Sequence, residues 1–263
     1  MNHQEYVSQL RLYEETDDIR GGWSETQMHG PAVASIAVGK TVGVAPEADL
    51  YYIASAMCGT GTYESVDFSC LAQSVRRILE VNKQLPTDRK IRVISMSIVW
   101  GPQSKGYSVI TAATKEAKAA GMLVICSSVE EVHGFKFHCL GSLPLADPDR
   151  FQSYEPGLWW AKQFYGGQRF SDRLLVPMDS RTTASPGGID KYVFYQEGGW
   201  SWSIPYIAGV YALVAQVKST ITPDELWSLA PMTGRTIELK HEGETISFGP
   251  ILDPVALIAA LQK

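Results

Sequence analysis

Three short apolar runs in the first half of the chain are separated by two stretches of helical periodicity. The runs are Leu50–Ala54 (LYYIA), residues 91–98 (IRVISMSI) and residues 122–127 (MLVICS), each of a length suited to a buried strand. Between the first two, Leu71, Val75, Ile78 and Leu79 recur at helical spacing, with Arg76, Arg77 and Glu80 on the opposite side. Between the second and third, the alanine-rich residues 111–120 favour helix and stop at Gly121. Strand alternating with helix predicts an α/β fold whose largely parallel sheet is covered on both faces.

From residue 129 to about 197 the periodicity dissolves into aromatic sequence containing glycine and proline. Tyr154, Trp159, Trp160, Phe164 and Tyr165 fall here, with short strand candidates at residues 174–176 and Tyr192–Tyr195. A stretch this long without clear period reads as functional surface rather than linker. Regular structure is expected to resume at Ser203, where Ile207, Val210, Tyr211, Val214 and Val217 mark an apolar helical stripe. Thr222-Pro223-Asp224-Glu225 is a capping box with proline at the first helical position. Asp253-Pro254 opens a last helix ending near Leu261. With no repeat, low-complexity tract or linker, residues 1–263 are expected to form one domain.

Composition narrows the partners. At 263 residues and 45% hydrophobic, the chain can bury a full core. A net charge of −5, a pI near 5.6 and no basic run argue against nucleic acid. No run approaches the roughly 18 apolar residues of a membrane span. The polar, acidic start (MNHQEYVSQLRLYEETDD) is unlike a secretory signal, which fits a cytoplasmic protein or a trimmed secreted one. Cys58, Cys70, Cys126 and Cys139 show neither CxxC spacing nor a regular framework, so reduced thiols are expected.

Two segments carry chemistry. One is His29-Gly30-Pro31-Ala32-Val33-Ala34-Ser35, followed by Gly43-Val44-Ala45-Pro46-Glu47-Ala48. A histidine followed by glycine and small apolar residues suits the mouth of a buried helix, with its ring facing a cleft. The other is Gly199-Trp200-Ser201-Trp202-Ser203-Ile204-Pro205-Tyr206-Ile207-Ala208-Gly209, which puts a serine in the turn before a buried helix. Backbone N–H groups at such a helix start stabilise developing negative charge.

Together these segments resemble the subtilases, the subtilisin-like serine proteases. HGPAVAS followed by GVAPEA is similar to the family's HGTHVAG and GVAPxA, and GWSWSIPYIAG is similar to its GTSMATPHVAG. The order, His before Ser, is kept. Ile94-Ser95-Met96-Ser97 looks like the strand lining the family's substrate cleft, so Ser97, Ile98 and Val99 are expected there. The resemblance implies a three-layer α/β sandwich around a mainly parallel central sheet. It also implies a serine endopeptidase acting on a peptide or protein substrate, with Ser201 as nucleophile and His29 as general base.

Two features depart from the family's pattern. Its triad Asp ends an apolar strand about thirty residues before the His, and no such strand-Asp-Thr/Ser-Gly signature precedes His29. Asp17 and Asp18 are weak candidates, and the Asp-bearing strand is expected to be missing. Losing that acid costs on the order of 10⁴ in rate. The oxyanion asparagine also changes: counting from Gly121 puts Val129 and Glu130 where Gly and Asn belong. An ionised Glu cannot donate a hydrogen bond, leaving Ser127, Ser128 or a protonated Glu130 as substitutes. The alternative is therefore a catalytically degenerate subtilase, a peptide-binding or regulatory module. An esterase-type hydrolase fits poorly, because Gly199-Trp200-Ser201-Trp202-Ser203 lacks the closing glycine of G-x-S-x-G.

Other patterns carry less. Gly39-Lys40-Thr41 imitates a phosphate loop but has Ala34 where glycine is needed. His133, His138, Cys126 and Cys139 fit no common zinc spacing, so the histidines read as solvated loop residues and no metal site is assigned. No cofactor is certain. The resemblance allows a structural Ca²⁺, but Asp147, Asp149 and Asp172 lack EF-hand spacing and read as surface charge. Trp200 and Trp202 read as packing residues.

Overall fold

The structure, a computed structural model, describes residues 2–16, 28–55, 66–127 and 137–262. The first half runs β1 (Leu10–Glu15), α1 (His29–Val38), β2 (Leu50–Ala54), α2 (Phe68–Gln84), β3 (Val93–Met96), α3 (Tyr107–Ala119) and β4 (Leu123–Cys126). It continues with β5 (Phe137–Ser142), β6 (Tyr154–Pro156), α4 (Leu158–Tyr165), β7 (Leu174–Pro177), β8 (Arg181–Ala184) and β9 (Tyr192–Tyr195). The last part is α5 (Trp200–Val217), α6 (Pro223–Thr233), β10 (Arg235–His241), β11 (Glu244–Ile251) and α7 (Pro254–Leu261).

This is the expected α/β arrangement, and β4 shows its layers most clearly. Leu123 and Ile125 pack with Ile204, Ile207 and Tyr211 of α5 in one buried cluster. Val124 and Cys126 pack with Val75 of α2 and Ile110 and Ala113 of α3 in another. Alternate residues of one strand thus feed cores on opposite faces, as period two requires. Parallel pairs join β1 to β2, β3 to β4, and β5 to β7, while β11 touches β7 in parallel and pairs β10 antiparallel.

The expected central sheet is not one continuous ladder. Among the described residues, no ladder joins β2 to β3 or β4 to β5. The second break is closed by packing, since Leu123, Ile125, Phe137 and Cys139 share one buried cluster. The first is open. All five residues of β2 are half-buried and Ser95 of β3 is exposed, which corrects the reading of these runs as fully buried strands.

Local rules place several helix ends. Thr222 and Glu225 form the capping box, and Asp253 caps α7 by accepting from the Ala256 N–H at 2.9 Å. Gly121 adopts a positive φ of 81° just past α3, where a side chain would be strained. At the amino end, buried Glu5 accepts from the Thr41 N–H at 2.8 Å, the Val42 N–H at 3.2 Å and the hydroxyls of Thr41 and Tyr192 at 2.5 and 2.6 Å. Those bonds tie the terminal segment to the turn after α1 and to β9.

Cys126 and Cys139 are buried thiols, but Cys70 is disulfide-bonded, against the expectation of reduced cysteines throughout. Among the described residues, no helix is long and apolar enough to cross a membrane.

Candidate active site

α1 begins at His29 and α5 begins one residue before Ser201. Regular structure therefore starts earlier than Ser203, and Ser201 sits inside the first helical turn. The two helices pack closely. A Cβ on Gly209 of α5 would lie 2.6 Å from the Val44 Cβ and 3.0 Å from the Ala37 carbonyl oxygen, so only glycine permits this approach. A Cβ on Gly30 would meet the Tyr52 hydroxyl.

His29 and Ser201 line one cleft of about 2190 Å³, together with Ser97, Ile98, Val99 and Ser127. The His29 ring lies 5.6 Å, centroid to centroid, from Trp202. Burial lowers its pKa below the usual 6.5, which favours the neutral imidazole that accepts a proton. Among the described residues, no carboxylate pairs with His29.

Ser201 is held by Ser97. The Ser201 hydroxyl donates to the Ser97 carbonyl at 3.3 Å, and the Ser97 hydroxyl donates to the Ser201 carbonyl at 2.8 Å. The second bond answers a defect written in the sequence. Pro205 lies four residues after Ser201 and has no N–H, so the Ser201 carbonyl lacks its intrahelical donor. Ser97 follows β3 and supplies a substitute. Ile98 is half-buried and Val99 is 46% exposed at the cleft wall, while the Ser127 N–H donates to the Ile98 carbonyl at 3.0 Å.

The turn before α5 rests on Asp179, which sequence reasoning missed. Its Oδ1 accepts from the Gly198 N–H at 2.7 Å, and a Cβ on Gly198 would meet the Met178 carbonyl oxygen at 2.5 Å. Burial pushes the Asp179 carboxyl up to about 6; the Gly198 N–H opposes that rise, and Glu197 and Glu155 add to it. Nothing local marked this aspartate, because its partner lies on a different segment.

Glu130, Asp17, Asp18 and His133 lie outside the described residues. His138 is not a solvated loop histidine. It lies on β5, 5% exposed, with Trp160 and Phe170 at 4.5 and 4.6 Å and Trp159 and Trp200 slightly farther. Burial, with Arg173 adding to it, lowers its pKa to about 4. Among the described residues, no group of three or more His, Cys, Asp or Glu side chains is placed to hold a metal. Asp147 accepts from the Asp149 N–H and faces Arg150, and Asp172 faces Arg173.

The family model described as the subtilase family matches residues 11–151, over half of the chain. An intracellular serine protease from Paenibacillus polymyxa is 27% identical over 273 aligned residues, covering 94% of this chain and 75% of that protein. Among solved structures, Sphericase superposes with a TM-score of 0.59 at 15% identity, covering 88% of this chain and 78% of that one. The prenylagaramide maturation protease PagA gives 0.58 at 15% identity over 99% and 89%. A mutant of the protease domain of PatA gives 0.58 at 15% identity over 96% and 87%. At such identities these structures establish the fold alone.

Proposed function

This chain belongs to the subtilase family of serine peptidases, and from that premise we propose that it cleaves peptide bonds through an acyl-enzyme on Ser201 with His29 as general base. The observation that carries this reading is the shared cleft: two side chains from opposite ends of the sequence line one cavity at the starts of two packed helices.

In the proposed reaction, Ser201 Oγ leaves the Ser97 carbonyl and attacks the substrate carbonyl carbon while its proton passes to the His29 imidazole. The carbonyl oxygen gains the negative charge, and backbone N–H groups at the start of α5 face that charge with the positive end of the helix dipole. The C–N bond then breaks, and the amine leaves with the proton held by His29. Water repeats the sequence on the acyl group and regenerates the Ser201 hydroxyl.

A second reading, a degenerate subtilase that binds peptide without turnover, draws on two observations. The Ser201 hydroxyl is bonded to Ser97, and no carboxylate orients His29 among the described residues. A chromogenic peptide ester separates the two. Turnover with a trapped acyl adduct on Ser201, both lost in Ser201→Ala, supports the peptidase. Binding of the ester without any adduct supports the degenerate member.

A further inference from the structure

Among the described residues no carboxylate pairs with His29, but its ring does have a neighbour. It packs against Trp202 at 5.6 Å from centroid to centroid, with the two planes tilted by 36°. That separation lies inside the roughly 4.5–7 Å range of aromatic pairs. Trp202 follows Ser201 in the first turn of α5 and is 5% exposed. It shares a buried cluster with Ala32 and Ile36 of α1, the helix that His29 opens, and Tyr195 and Tyr206 pack against that cluster.

The indole is itself braced. Tyr195 of β9 meets it edge to face at 5.5 Å, and a Cβ on Gly198 would come within 2.8 Å of its Cδ1. Trp202 is therefore wedged between β9, the turn before α5 and the imidazole. Hydrogen bonding does not fix it there, because the indole N–H is buried with no partner among the described residues. Such an orphaned donor is a cost that a phenylalanine ring at the same place would not carry. Packing alone sets the position of this ring, and the imidazole is part of what it packs on.

We propose that Trp202 is a positioning residue for His29, its indole holding the imidazole in one orientation toward Ser201 and keeping water from the ring. The inference rests on the general-base role proposed for His29 above. A base serves a nucleophile only when one of its nitrogens points at the hydroxyl, and fixing that direction is the task of a third group. Here one helical turn carries both the hydroxyl and the plane against which the imidazole rests, since Ser201 and Trp202 are consecutive at the start of α5. Burial, the cause of the lowered His29 pKa, is a second mark of the same contact. The titratable and charged side chains on the elements around the pair are Tyr52 of β2, Arg181 of β8, Tyr195 of β9 and Tyr206 of α5. Arg181 lies over the Tyr206 ring at 4.7 Å, and no neighbouring charge contributes to the His29 shift.

The test follows the His29 ring by NMR in the full chain and, separately, the rate of fluorophosphonate labelling at Ser201. In the parent, NOEs are expected between the imidazole and the Trp202 indole. In Trp202→Ala the His29 titration midpoint rises toward 6.5 as water reaches the ring, and labelling above neutrality slows about 100-fold. Trp202→Phe, which keeps an aromatic face, restores both. Should Trp202→Ala not fold, Trp202→Leu takes its place, keeping apolar bulk without the aromatic face. A merely structural role lowers stability and leaves the midpoint where it was, and that result overturns the proposal. So does an equal loss of labelling in the Phe and Ala variants, or a parent without the NOEs. If the parent takes no label at any pH, the Ser201 reading falls, and the NOEs and the midpoint still decide whether Trp202 holds the ring.

Discussion

The Ser97 hydroxyl donates to the Ser201 carbonyl at 2.8 Å, filling the place of the N–H that Pro205 lacks. This bond pins the first turn of α5 to the end of β3, so the position of Ser201, the proposed nucleophile, depends on a serine from the opposite cleft wall. Ser97→Ala leaves that carbonyl unpaired and is expected to cost about 1–2 kcal/mol, read from urea denaturation. In a Pro205→Ala background the helix regains its own donor, and the cost of removing Ser97 shrinks. An equal cost in both backgrounds would show that the bond does not answer the proline.

The buried His29 sets the pH dependence. Its pKa is lowered below 6.5, so the neutral, proton-accepting form dominates at pH 7 and is lost as pH falls through the lowered value. Fluorophosphonate labelling of Ser201 is predicted to rise with pH and level off before neutrality. A midpoint above 6.5 would mean that the ring is held protonated by a partner instead.

Glu5 contributes stability that is likewise lost toward the acid end. Burial raises its pKa, but the bonds from Thr41, Tyr192 and Val42 outweigh burial and leave it below the usual 4.5. The contribution is present above the unfolded value and disappears as pH falls through the folded one. Glu5→Gln is expected to lose about 1–3 kcal/mol at pH 7, with the two stability curves converging in acid. Parallel curves down to pH 3 would rule out the carboxylate as the source.

Asp179 runs the other way. Its carboxyl is held at about 6 in the fold against 3.8 unfolded, so the native state binds the extra proton and stability falls as pH rises between those values. The difference amounts to on the order of 3 kcal/mol. Asp179→Asn keeps an acceptor for the Gly198 N–H and removes the ionisation, so the variant is expected to match or exceed the parent at pH 8 and to lose this slope. A variant less stable than the parent at pH 8, with the slope retained, would place the charge elsewhere.

Much of the fold was legible because it is written locally. The capping box at Thr222, the Asp253 cap, the stripe of α5 and the apolar runs of β2, β3 and β4 need only near neighbours in sequence. β1 escaped notice because LRLYEE has two apolar residues at alternate positions and is defined by its pairing with β2. β5 and α4 were hidden for a similar reason: the aromatics around His138 of β5 come from α4, from α5 and from Phe170, so no single window displays them. Both members of the candidate pair were readable from their flanking motifs. Asp179, the Ser97 bond and the opening beside β2 were not, since each depends on partners brought together by folding.

The most direct measurement is fluorophosphonate labelling of the intact chain, followed by mass-spectrometric mapping, in the parent and in His29→Ala. An adduct on Ser201 that disappears when the imidazole is removed is the predicted result. An adduct on another serine, or one on Ser201 that forms equally fast without His29, would contradict the account.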